Sequence, residues 1–239
     1  MKIAIIGNGK IGNAIHDALR RADPQQHVAI LGRGDSREAL VDAESVLLCV
    51  KPHQVLDALE TIASSMRPGA LLVSVAAKTT LASLRAALPP GIGVVRAMPN
   101  LPVAELAGMT ALASESTEED IQRSEAIFGA MGRTVRIDER LMDAATAMNG
   151  CGPAYLYLIV EAWIDAGIKL GFSYETARTL VAQTMLGAAT AVLASEEHPA
   201  ALKTAVTTPA GCTIAGLLEL EDGRIRSTIV RAVLAAASA

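Results

Sequence analysis

The sequence predicts an α/β chain in two parts. Residues 1–138 form a shortened parallel sheet flanked by helices, and residues 139–239 form an all-helical domain. Three observations predict it. Short aliphatic runs alternate with helical patterns as far as Ile137, the rhythm of strand and crossover helix in a parallel sheet. A G-x-G-x-x-G, Gly7-Asn8-Gly9-Lys10-Ile11-Gly12, joins the first run to the first helix. From Glu139 onward the strand period gives way to long alanine-rich helical segments.

Ile3 to Ile6 is an apolar run of the kind buried on both faces of a parallel sheet. Ile11, Ile15, Ala18 and Leu19 then share one face of a helix. Gly7 suits the tight strand-to-helix turn, Gly9 admits a pyrophosphate close to the backbone, and Gly12 allows close helix–sheet packing. The free N–H groups of Lys10 and Ile11, at the positive end of that helix, favour the phosphates. This is a Rossmann-like, dinucleotide-binding opening. A second strand, His27 to Leu31, ends at Gly32-Arg33-Gly34-Asp35-Ser36. Dinucleotide folds place an acid at this point for the ribose 2′-hydroxyl. Here Arg33 stands first, which favours a 2′-phosphate and hence NADPH over NADH, the other reading being a solvated arginine.

Asp35 or Ser36 is placed to cap a short helix over Arg37 to Val41, and Val46 to Val50 is already the next strand. The connection is too short for a further strand and crossover, so the usual third strand is expected to be missing. Val50-Lys51-Pro52 ends its strand where ligands bind such sheets. A helix over 55–65, a strand at Leu71 to Val75, Ala76-Ala77-Lys78 and a helix capped by Thr79 or Thr80 follow. Val94 to Ala97 predicts a strand, Met98 to Pro102 an irregular loop, and Thr110 to Ala113 an edge strand. Thr117-Glu-Glu-Asp120 resembles a capping box for a helix to Met131, and Thr134 to Ile137 closes the sheet. A helix over 141–148 then breaks at Asn149-Gly-Cys-Gly-Pro153. Helices follow over 154–170, 174–194, a short one from Pro199, then 214–220 and 224–237.

Composition excludes several classes of function. The chain has 239 residues, 51% hydrophobic but only 3% aromatic, so its core is aliphatic. A net charge of −4 and the lack of a basic run speak against nucleic acid. No run of ~18 apolar residues stands out as a membrane span. Cys49, Cys151 and Cys212 are widely spaced and odd in number, which predicts reduced thiols in a cytoplasmic protein. The four histidines show no ligand spacing, and no metal site is expected. The alanine-rich helices have an apolar surface suited to burial against another copy, a homodimer or a higher oligomer built from dimers.

Five stretches together resemble the pyrroline-5-carboxylate reductase family. They are the glycine loop, Val50-Lys51-Pro52, Arg96-Ala-Met-Pro-Asn100, Gly150-Cys-Gly-Pro-Ala-Tyr155, and Ser195 to Gly216, which looks like the family's V-T-S-P-G-G-T-T region. The resemblance runs from Met1 to about Ala232. It implies a Rossmann domain, a helical dimerisation domain, and NAD(P)H-dependent reduction of a small cyclic imino acid to proline. By position it implies that Gly7 to Gly12 hold the pyrophosphate, and that Val50 to Pro52, Ala76-Ala77 and Met98-Pro99-Asn100 border the nicotinamide. Thr208 and the backbone of Gly211, Cys212 and Thr213 would bind the substrate carboxylate. The Thr213 hydroxyl would hold the substrate nitrogen, with Glu196 nearby. Read without the resemblance, Thr213 is a helix cap, Glu196 a solvated helix end, and Tyr155 and Trp163 core residues.

The chain departs from the family pattern at Lys78 and Ala210, where glycine is usual, and at Leu101, Cys151 and Cys212, where small or hydroxylic residues are usual. Two further readings therefore stay open: reduction of another small imino or keto acid, and nucleotide binding without catalysis.

Overall fold

Uninterrupted aliphatic runs form the middle of a seven-stranded sheet in a computed structural model of the chain, which describes residues 1–238. The elements begin β1 (Lys2–Ile6), α1 (Lys10–Ala22), β2 (His27–Leu31), α2 (Glu38–Val41), β3 (Ser45–Leu48) and α3 (Val55–Ile62). They continue with β4 (Leu71–Ser74), α4 (Leu81–Ala86), β5 (Gly93–Pro99), β6 (Gly108–Ser114), α5 (Glu118–Gly129), β7 (Gly132–Arg136) and α6 (Met142–Ala145). The strand order is β2-β1-β3-β4-β5-β6-β7. No strand lies between β2 and β3, so β2 is the sheet edge, as the short connection requires.

Alternation along β1 explains why the run has no polar residue. Ala4 and Ile6 enter one core with Leu40, Val55, Leu59 and Leu84, whereas Ile3 and Ile5 enter another with Ile15, Leu19 and Phe128. Both faces are covered, so neither tolerates water-facing side chains. Thr80 caps α4 by accepting from the Ser83 N–H at 3.1 Å. Thr117 caps α5 in a reciprocal box with Asp120.

Three expectations are corrected. β5 does not stop at Ala97 but runs through Pro99, because β6 pairs along it from Val95↔Ser114 to Pro99↔Thr110. β6 is an interior strand rather than an edge; it runs antiparallel to β5 and parallel to β7, so the sheet is mixed. The break expected at Asn149 is instead a π-helical turn, Thr146–Gly150, continuing α6. That turn stays with the sheet, and the chain divides by contacts into Met1–Pro153 and Ala154–Ala239.

The helical half contains α7 (Gly152–Lys169), α8 (Tyr174–Ala194), α9 (Pro199–Ala205), α10 (Cys212–Asp222) and α11 (Ile225–Ala237). Ser173 caps α8 by accepting from the Thr176 N–H at 3.2 Å. Beyond Pro153, the buried apolar residues among those described are Ile164, Ala177 and Val181. Leu170, Leu186 and Leu234 stand 79%, 61% and 61% exposed, and Trp163, expected in the core, is 47% exposed. α8 also corrects the reading of hydropathy: at 21 residues and mean hydropathy 1.2 it is long and apolar enough to cross a membrane.

Candidate functional site

The three loop glycines meet three different demands. Gly7 has φ +106, and a Cβ there would lie 2.6 Å from the Cys49 carbonyl oxygen. A Cβ on Gly12 would overlap the Gly7 carbonyl oxygen. At Gly9 nothing lies within 4 Å of an added Cβ, so the backbone faces open space where a phosphate can approach. Gly9 is the N-cap residue of α1, with no side-chain cap and no acid in the first turn. Among the described residues no side chain caps the positive end of α1, which fits an anionic pyrophosphate. Asn13 Nδ2 donates to the Asn8 carbonyl at 2.8 Å and holds the loop's shape. Cys49 is buried beneath it, its thiol pushed up to about 12 by burial, and so is an inert packing residue.

A cleft of about 400 Å³ opens beside the loop, lined by Gly7, Asn8, Gly32, Arg33 and Val50 on the side of the strand ends. Arg37 lines it from the approach to α2, with Gln54, Asp57 and Thr61 from the other wall. Asp35 accepts the Gly32 N–H through Oδ2 at 2.7 Å, which braces the turn after β2. Sequence reasoning anticipates Asn8 and Arg33 here and misses Arg37, Gln54, Asp57 and Thr61. Gln54, Asp57 and Thr61 recur at spacings of three and four, a helical face legible in retrospect.

Of the remaining strand-end residues, Val50 reaches the cleft and Lys51 and Pro52 are exposed. Ala76, Met98 and Pro99 are buried and Ala77 is half-buried. The Asn100 side chain is engaged: its Oδ1 accepts the Met109 N–H at 3.0 Å and its Nδ2 donates to Asn149 Oδ1 at 2.9 Å. Asn149 Nδ2 donates in turn to the carbonyls of Met98, at 2.7 Å, and Met109, at 2.9 Å. Arg96, 4% exposed, pairs through Nη1 with Glu139 Oε1 at 3.0 Å, and Glu139 also accepts the Leu81 N–H.

In the helical half, α10 begins at Gly211, its N-cap residue. An added Cβ on Gly211 would overlap the Thr208 hydroxyl, so a side chain there would displace that hydroxyl. The Gly211 N–H is spent on the Thr208 carbonyl at 3.0 Å, which leaves Cys212 and Thr213 as the open donors rather than all three residues. Ala210 has φ +57, the left-handed conformation anticipated from the glycine usual there. Thr213 is the second residue of α10 and not its cap, and its hydroxyl makes no hydrogen bond among the described residues. Glu196 lies exposed between α8 and α9 and makes no ion pair among the described residues.

The sheet order, the glycine loop and the uncapped helix end define a Rossmann-type, dinucleotide-binding protein. The family model described as pyrroline-5-carboxylate reductase dimerisation matches residues 139–239. A pyrroline-5-carboxylate reductase of Arabidopsis thaliana is 38% identical over 98% of this chain and 85% of its own length. One from Synechocystis is 42% identical over 84% and 76%. A Plasmodium falciparum pyrroline carboxylate reductase solved with NADP bound superposes with TM-score 0.89 at 29% identity, covering 100% of this chain and 96% of its own. The Coxiella burnetii structure gives 0.87 at 30%, covering 99% and 96%. The chain belongs to the pyrroline-5-carboxylate reductase family.

Proposed function

We propose that this chain reduces 1-pyrroline-5-carboxylate to proline with NADPH, NADH being an alternative donor, and works as a homodimer in the cytoplasm. The three free cysteines accord with that compartment. The observation that carries the reading is the start of α10, where two open backbone N–H groups and an unpartnered Thr213 hydroxyl lie within one helical turn. The Cys212 and Thr213 N–H groups bind the substrate carboxylate, a contact independent of the Cys212 side chain. The Thr213 hydroxyl bonds the imine nitrogen and orients the proton that makes the adjacent carbon electrophilic. Thr208 holds the turn, and Glu196 contributes negative charge toward the protonated nitrogen. When bound, the nicotinamide supplies the hydride. Gly7 to Gly12 hold its pyrophosphate and Arg33 its 2′-phosphate, and the strand ends at Val50 to Pro52, Ala76-Ala77 and Met98 to Asn100 border its ring.

Steady-state oxidation of NADPH and NADH against a panel of cyclic imines and keto acids tests the assignment. Thr213→Ala is expected to lower kcat on pyrroline-5-carboxylate by roughly ten- to a hundredfold, with dinucleotide affinity unchanged. Absence of turnover by the wild-type protein with either donor overturns the function. Turnover that survives Thr213→Ala intact removes Thr213 from it.

A further inference from the structure

Resting on the assignment of NADPH as donor, we propose that Arg37 is a second cationic group for the 2′-phosphate. Selectivity for the phosphorylated cofactor is then divided between Arg33 and Arg37. Both line the cleft beside the glycine loop, together with Gly7, Asn8 and Gly32. Arg33 is exposed, whereas Arg37 is half-buried with its Nη1 shut off from solvent and without a hydrogen-bond partner. A charged donor withdrawn from water and left unpaired is unfavourable unless an anion completes it. Asp57 lines the same cleft, but neither arginine forms an ion pair among the described residues. Asp35, the acid nearest Arg33 in sequence, accepts the Gly32 N–H through Oδ2 and pairs with neither arginine among the described residues.

The short connection into α2 is what brings Arg37 here. The chain passes from Leu31, at the end of β2, to Glu38, at the start of α2, through six residues. Leu40, fully buried, anchors α2 in the core and so fixes the backbone that carries Arg37. A planar guanidinium donates two parallel N–H bonds to a phosphate, geometry that a lysine or a solvated arginine does not reproduce.

Calorimetric titration of the full chain with NADP⁺, NAD⁺ and 2′,5′-ADP tests this without catalysis. Arg37→Gln is expected to raise the Kd for NADP⁺ and 2′,5′-ADP roughly tenfold or more, and that for NAD⁺ less than about threefold. Arg33→Gln should act similarly, and the double variant should bring the NADP⁺/NAD⁺ ratio close to one. Arg37→Met, which keeps the aliphatic stem, is read in the same way should the glutamine variant fail to fold. An unchanged ratio in the folded Arg37 variant, or an equal loss for both dinucleotides, overturns the role of Arg37 and leaves the donor assignment standing. A wild-type protein that binds NAD⁺ as tightly as NADP⁺, or binds neither, overturns both the role of Arg37 and the preference for NADPH.

Discussion

At the scale of single residues, the backbone conformation explains which departures from the family pattern carry a cost. Lys78 and Ala210 both sit at φ +57, where an L-residue's Cβ crowds the following carbonyl by roughly 1–2 kcal/mol. Glycine relieves that crowding but adds unfolded-chain entropy of roughly half that size. Ala210→Gly is therefore expected to stabilise the fold by about 0.5–1 kcal/mol, read as a rise in the denaturant midpoint at unchanged m-value. A fall in the midpoint would show that Ala210 gains compensating contacts. The need for glycine at 210 was legible because the family motif spells it. The motif spells glycine at 211 as well, but not its reason there, the Thr208 hydroxyl packed against it. Arg96 is visible in the sequence only as the first residue of a family motif. Its partner Glu139 lies 43 residues away, a separation at which sequence patterns say nothing.

At the scale of elements, the missing strand was readable from length alone, because a crossover needs more residues than the chain supplies. The interior position of β6 was not, since its seven residues pair with strands on both sides that pattern alone cannot select. The π turn at Thr146–Gly150 lay between these cases: Asn149-Gly150 marked an interruption, but not its form. Asn149 ties that turn to the ends of β5 and β6 through the carbonyls of Met98 and Met109 and the Asn100 side chain. Asn149→Ala strands three groups that are only partly open to water, so a loss of about 2–3 kcal/mol is expected in equilibrium unfolding. Asn149→Asp should do no better, because it sets a carboxylate against two carbonyl oxygens. Full stability of either variant would mean that water replaces the amide without cost.

At the scale of the whole molecule, the helical half lacks a core adequate to its length. Ile164, Ala177 and Val181 are its buried apolar residues among those described, while Leu158, Leu170, Leu186, Leu193 and Leu234 are each more than half exposed. Helices of this length gain most of their stability from packing an apolar face, and isolated ones are marginal in water. The membrane-like hydropathy of α8 has the same origin, an apolar surface that one chain does not cover. The family model that matches this half is one of dimerisation, so a second copy is the occupant to test. Sedimentation velocity at micromolar concentration is expected to give twice the mass of the chain. The thermal midpoint should rise with protein concentration, because association and folding are then a single equilibrium. Leu186→Glu, which sets a charge on the exposed face of α8, should lower both the sedimenting mass and the midpoint. A folded monomer with a concentration-independent midpoint would mean that the helical half is stabilised within one chain.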